Sequence, residues 1–383
     1  MLPYSRQHIN RKDIKAVNTV LKNDFITQGP IVPKFEKKIS KIVNSNYAIA
    51  TNSATSSLHI ACLALGLKKG DHLWTVSNSF VASANCGKYC DATISFIDID
   101  EHTYNMDCKD LYKKLITAKK NKKLPKILVA VHLAGLPAKM KIIKQLSKKF
   151  NFKIIEDASH ALGAKIYKHP VGSCKFSDIT VFSFHPVKMI TTGEGGMATT
   201  NSLVLAKQMR LLREHGIERK QFKTKTKKPK WYYEQQLLGY NYRMSDIHAA
   251  LGLSQLSRLK SIVQKRNKIA KKYNRDLKNL PLKLPHIDKN YFCSYHLFII
   301  RLIPKVAKIT RDQLFNLLRK NKIYTNLHYQ PIHLQPFYSN SKNHKLPNTI
   351  AYAEQALSIP IYENLTIKNQ NKVIRVLKHR FKN

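Results

Sequence analysis

The chain contains 383 residues, of which 43% are hydrophobic, a length and composition that predict two packed domains and exclude a disordered protein. The sequence has no run of about 18 apolar residues, which excludes a membrane-spanning helix, and its first residues lack the apolar core of a secretory signal. We therefore expect a cytoplasmic protein. Lysine and arginine outnumber acidic residues 67 to 23, and the resulting formal net charge of +44 raises the question of nucleic-acid binding.

The first two thirds of the chain alternate between predicted helices and short apolar strands. Residues 1–12 are predicted to form an extended arm, and helical spacing begins at Asp13. Strands are predicted at residues 47–50, 71–76, 93–98, 127–132, 153–156, 179–184 and 196–200. Apolar strands separated by helices are typical of a mostly parallel sheet that is covered on both faces. We therefore predict an α/β large domain over residues 13–250.

A cluster of small hydroxyl residues follows the first predicted strand. Residues 51–58 read Thr-Asn-Ser-Ala-Thr-Ser-Ser-Leu and lead into a predicted helix. Free backbone N–H groups at a helix start bind anions, and neighbouring hydroxyl groups add further donors. An ordinary helix N-cap would explain one of these hydroxyl groups but not the whole cluster. The segment therefore predicts a phosphate site.

Six cysteines are scattered along the chain, and none of them forms a Cys-x-x-Cys pair. Cys86 and Cys90 are four residues apart, a spacing that places both on one face of a helix. A metal site would need two more ligands nearby, and the sequence offers no clear candidates, so we predict no metal centre. Buried free thiols are the expectation for these residues.

An acidic pair, Glu156 and Asp157, follows the apolar residues Ile154 and Ile155. Ligands of open α/β sheets bind at the carboxyl ends of the strands. A carboxylate at that point can bond a pyridine nitrogen and keep it protonated, and we assign this task to Asp157. The alternative is that Asp157 only caps a helix while Glu156 is solvated.

Lys188 lies in a polar loop between the predicted strand at residues 179–184 and the glycine cluster at residues 193–196. Partial burial at a strand exit lowers the pKa of a lysine and frees its amine for Schiff-base chemistry. Lysine is so common in this chain that Lys188 alone would be an ordinary surface residue. The hydroxyl-rich segment, Asp157 and Lys188 are, however, predicted to meet on one rim of one sheet. Together they provide the contacts that pyridoxal phosphate (PLP) needs, so we predict a PLP site.

The last third of the chain has a different pattern. Helices are predicted at residues 245–279, 310–320, 350–357 and 367–381, and a strand at residues 296–302. Thr310 is a suitable cap for the second of these helices. We predict that residues 251–383 form a linking helix and a smaller α+β domain.

The sequence resembles the DegT/DnrJ/EryC1/StrS sugar aminotransferases, which are fold-type I, aspartate aminotransferase-like PLP enzymes. The likeness covers nearly the whole chain, including residues 25–30, 52–58, 79–85 and 239–250. It implies that Lys188 carries PLP as a Schiff base and that Asp157 pairs with the ring nitrogen. It also implies phosphate contacts from Ala54, where the family usually has glycine, from Thr55 and from Ser183. Phe80 would lie on the ring face and His160 near the ring hydroxyl. Asn241 would contact the cofactor phosphate of the partner subunit.

The resemblance further implies a homodimer with shared active sites, because Asn241 would serve the partner's cofactor. A finer likeness at residues 52–62, 82–86 and 231–234 indicates the subgroup that makes 4-amino sugars of the pseudaminic acid type for surface glycans, and residues 328–333 resemble a segment that borders the sugar pocket. This subgroup transfers an amino group from glutamate to C4 of a UDP-4-keto-6-deoxy-N-acetylhexosamine. The alternative within the family is a nucleotide-sugar aminotransferase that acts at C3 or on a TDP-sugar.

The basic charge leaves a second alternative, a non-catalytic PLP-fold regulator or a nucleic-acid-binding protein. The lysines are spread over nearly every predicted helix, and the densest run, at residues 223–230, falls in a predicted loop. Lysine, asparagine and isoleucine are abundant together, which is typical of compositional drift, whereas a nucleic-acid-binding face concentrates its charge. The sequence has no helix-turn-helix or aromatic-basic RNA motif, so we expect no specific nucleic-acid partner. The charge would still steer anionic substrates such as nucleotide diphosphates.

Overall fold

The computed structural model describes residues 1–218, 229, 231–341 and 345–382, so the lysine-rich run at residues 223–230 lies outside the described residues except for Pro229. Helices α1 to α13 span Arg11–Leu21, Ile31–Val43, Ala54–Ala64, Ala82–Lys88, Cys108–Lys120, Met140–Phe150, Leu203–Arg213, Asp246–Leu256, Leu259–Leu277, Pro304–Ala307, Arg311–Lys320, Pro347–Gln355 and Ile367–Lys382. Strands β1 to β15 span Tyr47–Thr51, His72–Val76, Thr93–Ile97, Ile127–Val131, Lys153–Asp157, Lys165–Ile166, His169–Pro170, Ile179–Ser183, Gly196–Thr200, Ile217–Glu218, Glu234–Gln235, Leu282–Lys283, Tyr291–Phe292, Phe298–Leu302 and Ala356–Ile359.

A seven-stranded sheet in the order β1-β9-β8-β5-β4-β2-β3 forms the centre of the large domain. Strands β3, β2, β4, β5 and β8 pair in parallel, and β9 is antiparallel to both of its neighbours, β8 and β1. Only β9 therefore runs against the others, and the prediction of a mostly parallel α/β sheet is confirmed. The carboxyl ends of β4, β5 and β8 consequently meet at one edge of the sheet.

Successive residues of the central strands contribute to apolar cores on opposite faces of the sheet. In β4, for example, Leu128 and Ala130 belong to one buried cluster, and Ile127 and Val129 belong to the other. Both faces are covered by helices, which explains why these strands are apolar throughout and do not alternate with polar residues. Among the described residues, every helix is too short or too polar to cross a bilayer.

The second, smaller sheet has the order β12-β14-β15 and is antiparallel throughout. It shares a third apolar cluster with helices from the last part of the chain, as predicted for an α+β unit. Helix α9 joins the two regions. Ile262 and Val263 in its first half belong to a large-sheet core, whereas Ala270 and Tyr273 in its second half belong to the small-sheet core.

A buried arginine in the middle of α9 ties this helix to the chain segments that flank the small sheet. One guanidinium nitrogen of Arg266 donates hydrogen bonds to the carbonyl oxygens of Tyr295, His296 and Ile361, at 3.2, 3.0 and 3.0 Å. Hydrogen bonds from a charged donor to buried carbonyl groups are strong. Helix α9 is therefore anchored at the point where it passes from one core to the other.

Two elements of the second half differ from the sequence prediction. The helix predicted over residues 245–279 is divided into α8 and α9. At the break, the hydroxyl of Ser257 donates a hydrogen bond to the Ser254 carbonyl. The next residue, Arg258, forms ion pairs with Asp13 and Glu363. The helix predicted over residues 350–357 ends at Gln355, since the residues that follow pair with β14 as strand β15. Helix α7 was not predicted from the sequence, although Ser202 caps it.

Candidate active site

A cavity of about 570 Å³ opens at the carboxyl ends of β5 and β8. Asp157 ends β5, Ser183 ends β8, and the loop after β8 brings Lys188 to the same opening. Ligands of parallel α/β sheets bind at this edge. Seven of the eight residues predicted to contact the cofactor line the cavity, namely Ala54, Thr55, Phe80, Asp157, His160, Ser183 and Lys188.

The carboxylate of Asp157 is buried and held at both oxygens. The hydroxyl of Ser83 donates to Oδ2 at 2.6 Å, and the backbone N–H and hydroxyl of Ser159 donate to Oδ1 at 3.1 and 2.5 Å. These hydrogen bonds fix the orientation of the carboxylate. The cavity therefore presents a carboxylate in a set position, suited to a protonated ring nitrogen.

The amine of Lys188 is the nucleophile of the cavity. The surrounding protein removes water from this amine and lowers its pKa from 10.5 to about 8, although the negative charge of Asp157 acts in the opposite direction. A minority of the amine is therefore neutral near physiological pH, but far more than at a pKa of 10.5, and only the neutral amine attacks an aldehyde. The backbone N–H of Lys188 donates to the His185 carbonyl at 2.9 Å, which closes a turn at the exit of β8.

The start of helix α3 forms an anion cradle at one side of the cavity. The hydroxyl of Ser53 caps the helix by accepting from the Ser56 N–H, whereas no described residue accepts from the N–H groups of Ala54 and Thr55. Those two amides and the Thr55 hydroxyl line the cavity, where a phosphate group would satisfy them. Strand β9 approaches this loop so closely that a Cβ atom at Gly196 would overlap the Ser53 carbonyl.

His160 and Tyr329 form a directed chain of hydrogen bonds along another wall. The backbone N–H of Ala134 donates to Nδ1 of His160 at 3.3 Å, so the proton of the neutral ring lies on Nε2. That Nε2–H then donates to the Tyr329 hydroxyl at 3.0 Å. Tyr329 consequently keeps its own hydroxyl proton for a bound ligand. The ring of Phe80 lies on the same side, with its centroid 6.0 Å from that of Tyr329.

Three buried histidines, His160, His296 and His328, surround the cavity. Burial lowers the pKa of each ring, to about 3 in the case of His328, so all three are neutral at physiological pH. The rings of His296 and His160 are 4.3 Å apart, and within the described chain Nδ1 of His296 is buried without a hydrogen-bond partner. A bound ligand could supply that partner. No sequence motif pointed to His296, whereas His328 and Tyr329 lie in a segment that the family resemblance had indicated.

Asn241, the eighth predicted residue, does not line the cavity of its own chain. Its side chain is exposed, and its carbonyl accepts from the side-chain amide of Asn52 at 3.4 Å. The neighbouring Tyr242 carbonyl accepts from the Asn52 N–H at 2.9 Å. The segment that carries Asn241 therefore lies against the phosphate loop, but directs this side chain outward.

Comparisons with known proteins agree with this geometry. The sequence profile of the DegT/DnrJ/EryC1/StrS aminotransferase family matches residues 7–378. A Campylobacter jejuni protein named UDP-4-amino-4,6-dideoxy-N-acetyl-beta-L-altrosamine transaminase is 36% identical over 374 residues, which cover 96% of this chain and 94% of the relative. The spore coat polysaccharide biosynthesis protein SpsC of Bacillus subtilis is 32% identical over 382 residues, with coverage of 98% and 96%.

Solved structures with the same fold include PLP-bound proteins. PseC of Helicobacter pylori, an aminotransferase involved in the biosynthesis of pseudoaminic acid, has a TM-score of 0.91 and 30% identity, with coverage of 100% of this chain and 99% of that chain. Spr1654 of Streptococcus pneumoniae in its PLP form has a TM-score of 0.88 and 27% identity, with coverage of 100% and 98%. The predicted fold class and the predicted cofactor are thereby confirmed. The chain belongs to the DegT/DnrJ/EryC1/StrS family of PLP-dependent aminotransferases.

Proposed function

We propose that the protein transfers an amino group from glutamate to C4 of a UDP-4-keto-6-deoxy-N-acetylhexosamine, as a step toward a surface glycan of the pseudaminic acid type. The observation that carries the proposal is the meeting of the Lys188 amine, the Asp157 carboxylate and the α3 start in one cavity. The names of the Campylobacter and Helicobacter relatives support the choice of sugar. Both proposed substrates are intracellular metabolites, so we also propose a cytoplasmic location.

We assign the cofactor contacts to the residues that line the cavity. Lys188 would hold PLP covalently, Asp157 would pair with its ring nitrogen, and Phe80 would lie on the ring face. His160 would lie beside the ring hydroxyl. The phosphate would be bound by Ala54 and Thr55 at the start of α3, together with the hydroxyl of Ser183. Every one of these groups is a donor, acceptor or apolar surface of the kind that the matching part of PLP requires.

When bound, PLP supplies an electron sink that stabilises negative charge at the carbon from which a proton is removed. The protein must supply the group that moves this proton, and Lys188 is the amine in reach of the site. Its lowered pKa lets the amine accept a proton and release it again near neutral pH. Asp157, whose carboxylate is held by Ser83 and Ser159, would keep the ring nitrogen protonated.

A coupled assay with a purified UDP-4-keto-6-deoxy sugar and glutamate tests the proposal. We expect the wild-type protein to form the 4-amino sugar and 2-oxoglutarate, and Lys188→Ala to lose both this activity and the yellow colour of the bound cofactor. Lys175→Ala, at an exposed lysine of the same domain, is the matched control and should retain both. Retention of the yellow colour in Lys188→Ala would contradict the assignment of this lysine.

The position of the new amino group on the product distinguishes amination at C4 of the UDP-sugar from the reactions of other nucleotide-sugar aminotransferases. Nuclear magnetic resonance of the product should show nitrogen at C4. A product aminated at C3, or turnover of a TDP-sugar in preference to the UDP-sugar, would show instead that the protein is another nucleotide-sugar aminotransferase.

We further propose that the active form is a homodimer in which Asn241 contacts the cofactor phosphate of the partner subunit. The outward direction of this side chain, beside the phosphate loop of its own chain, supports the proposal. Large apolar side chains are also exposed nearby in sequence, since Trp231 is 75% exposed and Leu238 is 79% exposed. Apolar side chains of this size are commonly covered in an oligomer.

Mixing two inactive variants tests the shared site. In a mixed dimer of Lys188→Ala and Asn241→Ala chains, one active site would carry both substitutions and the other would carry neither. Random reassortment should then restore about a quarter of wild-type activity, because half of the dimers are mixed and each has one intact site. If Asn241 acted within its own chain, the mixture would stay as inactive as its two components.

A further inference from the structure

The hydrogen bonds of His160 leave its ring no free proton for a ligand. Nδ1 of His160 accepts the backbone N–H of Ala134 at 3.3 Å, and a ring nitrogen that accepts a hydrogen bond carries no proton of its own. The ring is therefore neutral, and its single proton lies on Nε2, which is 3.0 Å from the Tyr329 hydroxyl oxygen. Burial also lowers the pKa of His160, which agrees with a neutral ring. The only N–H group of the His160 ring is thus already used by Tyr329.

Tyr329 is the next donor along this chain of hydrogen bonds. Its hydroxyl oxygen accepts from His160, and no group among the described residues accepts the hydroxyl proton in return. Burial raises the pKa of the phenol, so the hydroxyl stays protonated throughout the physiological range. Tyr329 lines the same cavity as Lys188 and Asp157. Its proton is therefore available to a group bound in that cavity.

The position of the Tyr329 hydroxyl is set by contacts with both parts of the chain. The backbone N–H of Tyr329 donates to Oδ1 of Asn78 at 3.2 Å, and Asn78 is fully buried just beyond the end of β2. The carbonyl of the preceding residue, His328, accepts from the Tyr352 hydroxyl at 2.7 Å. The rings of Tyr329 and His160 are stacked at 24°, with 6.0 Å between their centroids. A hydroxyl held in this way can direct its proton to one fixed point of a ligand.

We propose that Tyr329 donates the hydrogen bond to the ring oxygen of bound PLP, and that His160 acts through Tyr329 as a positioning residue. The inference rests on the cofactor contacts proposed above, which place His160 beside this oxygen. In the holoenzyme the ring oxygen shares a proton with the nitrogen that joins Lys188 to the cofactor. A hydrogen bond from Tyr329 stabilises the negative oxygen once this proton has left, and so lowers the pH at which it leaves.

Other titratable side chains line the same cavity, namely Tyr4, Asp157, His160, His185, Lys188, Glu194, His296 and His328. Burial lowers the pKa of the rings of His160, His296 and His328, so these three rings remain neutral from pH 6 upward. The groups around Tyr329 are the same in the wild type and in a variant that lacks only the phenol oxygen. A difference between these two proteins therefore reports the Tyr329 hydroxyl itself.

A pH titration of the yellow colour of the holoenzyme, without substrate, tests the assignment. The protonated form of the link between Lys188 and the cofactor is yellow, so the colour fades as the pH rises. We expect Tyr329→Phe to raise the midpoint of this fading by about one pH unit, because a hydrogen bond to a charged oxygen is lost. The variant should still be yellow at low pH, since Lys188 and the phosphate contacts are intact. An unchanged midpoint, or a variant that binds no PLP, would overturn the proposal.

Tyr338→Phe is the matched control. Tyr338 is also a buried tyrosine, but its hydroxyl donates to Asn85 at 2.7 Å, outside the cavity. We expect this variant to keep the midpoint of the wild type, and a shift as large as that of Tyr329→Phe would contradict a specific contact. The titrations use no sugar and no amino donor. Their outcome is therefore independent of the assay that tests the proposed reaction.

A double-mutant cycle separates the role of Tyr329 from that of His160. His160→Leu removes the donor to Tyr329, and we expect it to raise the midpoint by less than Tyr329→Phe does. In the Tyr329→Phe background the same substitution should cause no further shift, because His160 acts through the hydroxyl that is missing there. Shifts of equal size in both backgrounds would show that His160 contacts the ring oxygen directly, against the proposal.

Discussion

The amine of Lys188 lies in surroundings that make its charge depend on pH within the physiological range. Its pKa is lowered to about 8, so the neutral, reactive form increases as the pH rises through this value. We expect the rate at which PLP and borohydride label the cofactor-free protein to rise from pH 6 to pH 9, with its midpoint at about 8. Stopped-time labelling followed by peptide mapping measures this rate at Lys188. A midpoint near 10.5, the value of an unperturbed lysine, would show that burial has no such effect.

The neighbouring acids Glu156 and Asp157 show how far sequence reasoning reaches at single residues. Asp157 lines the cavity, and its pairing with a ligand stays a prediction. Glu156 is not solvated, as the alternative supposed, but buried on the other face of the sheet, 2.7 Å from Nε2 of His132. Successive residues of a strand point to opposite faces of the sheet, which explains why Glu156 and Asp157 lie on different faces. The partner of Glu156, His132, is distant in sequence and could not be predicted.

The other residues of the site also include some that the sequence predicts and some that it does not. Thr55, near a helix start, and Lys188, in the loop after a strand, could be predicted from the sequence pattern, whereas Ser183 was predicted only from the family resemblance. His296 could not be predicted, because it faces the cavity only through the packing of the small sheet against the large domain. The exposure of Asn241 could not be predicted, because the sequence around it has no periodic pattern.

Strand β9 and the start of α3 are in direct backbone contact at Gly196. A methyl group there would overlap the carbonyl of Ser53, and neither backbone can move without disturbing the sheet or the helix. We expect Gly196→Ala to lower the free energy of unfolding by about 1–3 kcal/mol and to weaken PLP binding, because Ala54 and Thr55 would be displaced. Thermal unfolding and cofactor titration measure the two effects.

Gly70→Ala is the control for this substitution. Gly70 has a φ of +87° and open space around its Cα atom, so alanine should destabilise the fold by about 1 kcal/mol through backbone strain alone. Its affinity for PLP should remain that of the wild type. Equal losses of PLP affinity in both variants would mean that the effect of Gly196→Ala comes from general instability.

Most elements of the large domain could be predicted from the sequence, because their strands are continuous apolar runs and their helices have regular apolar spacing. Strand β9 begins and ends at the predicted residues. The break between α8 and α9 was missed because it depends on the pairing of Arg258 with Asp13 and Glu363, two acids far away in the chain. Strand β15 was missed for the same kind of reason, since its hydrogen bonds come from β14.

The net charge of +44 acts at the scale of the whole molecule. A strongly basic protein attracts an anionic substrate over a distance that salt shortens, to about 10 Å at 0.1 M ionic strength. We expect kcat/KM for the nucleotide sugar to fall about tenfold between about 0.05 and 0.5 M salt, with kcat little changed. Steady-state kinetics at several salt concentrations measure this dependence.

The salt dependence of DNA binding distinguishes general electrostatic attraction from a dedicated nucleic-acid-binding site. Duplex DNA should bind only at low salt and without sequence preference, because the charge is spread over the chain. DNA binding that persisted at about 0.5 M salt, or that favoured one sequence, would support the alternative hypothesis of a nucleic-acid-binding protein.

Helix α9 contributes to the cores of both sheets. In the middle of this helix, Arg266 donates hydrogen bonds to three carbonyl groups. A rotation of the small sheet relative to the large one would have to bend a continuous helix and break these hydrogen bonds together. These contacts therefore oppose rotation of one region against the other. We expect exchange of one substrate for the next to depend on loop movements at the cavity mouth more than on the opening and closing of a domain cleft.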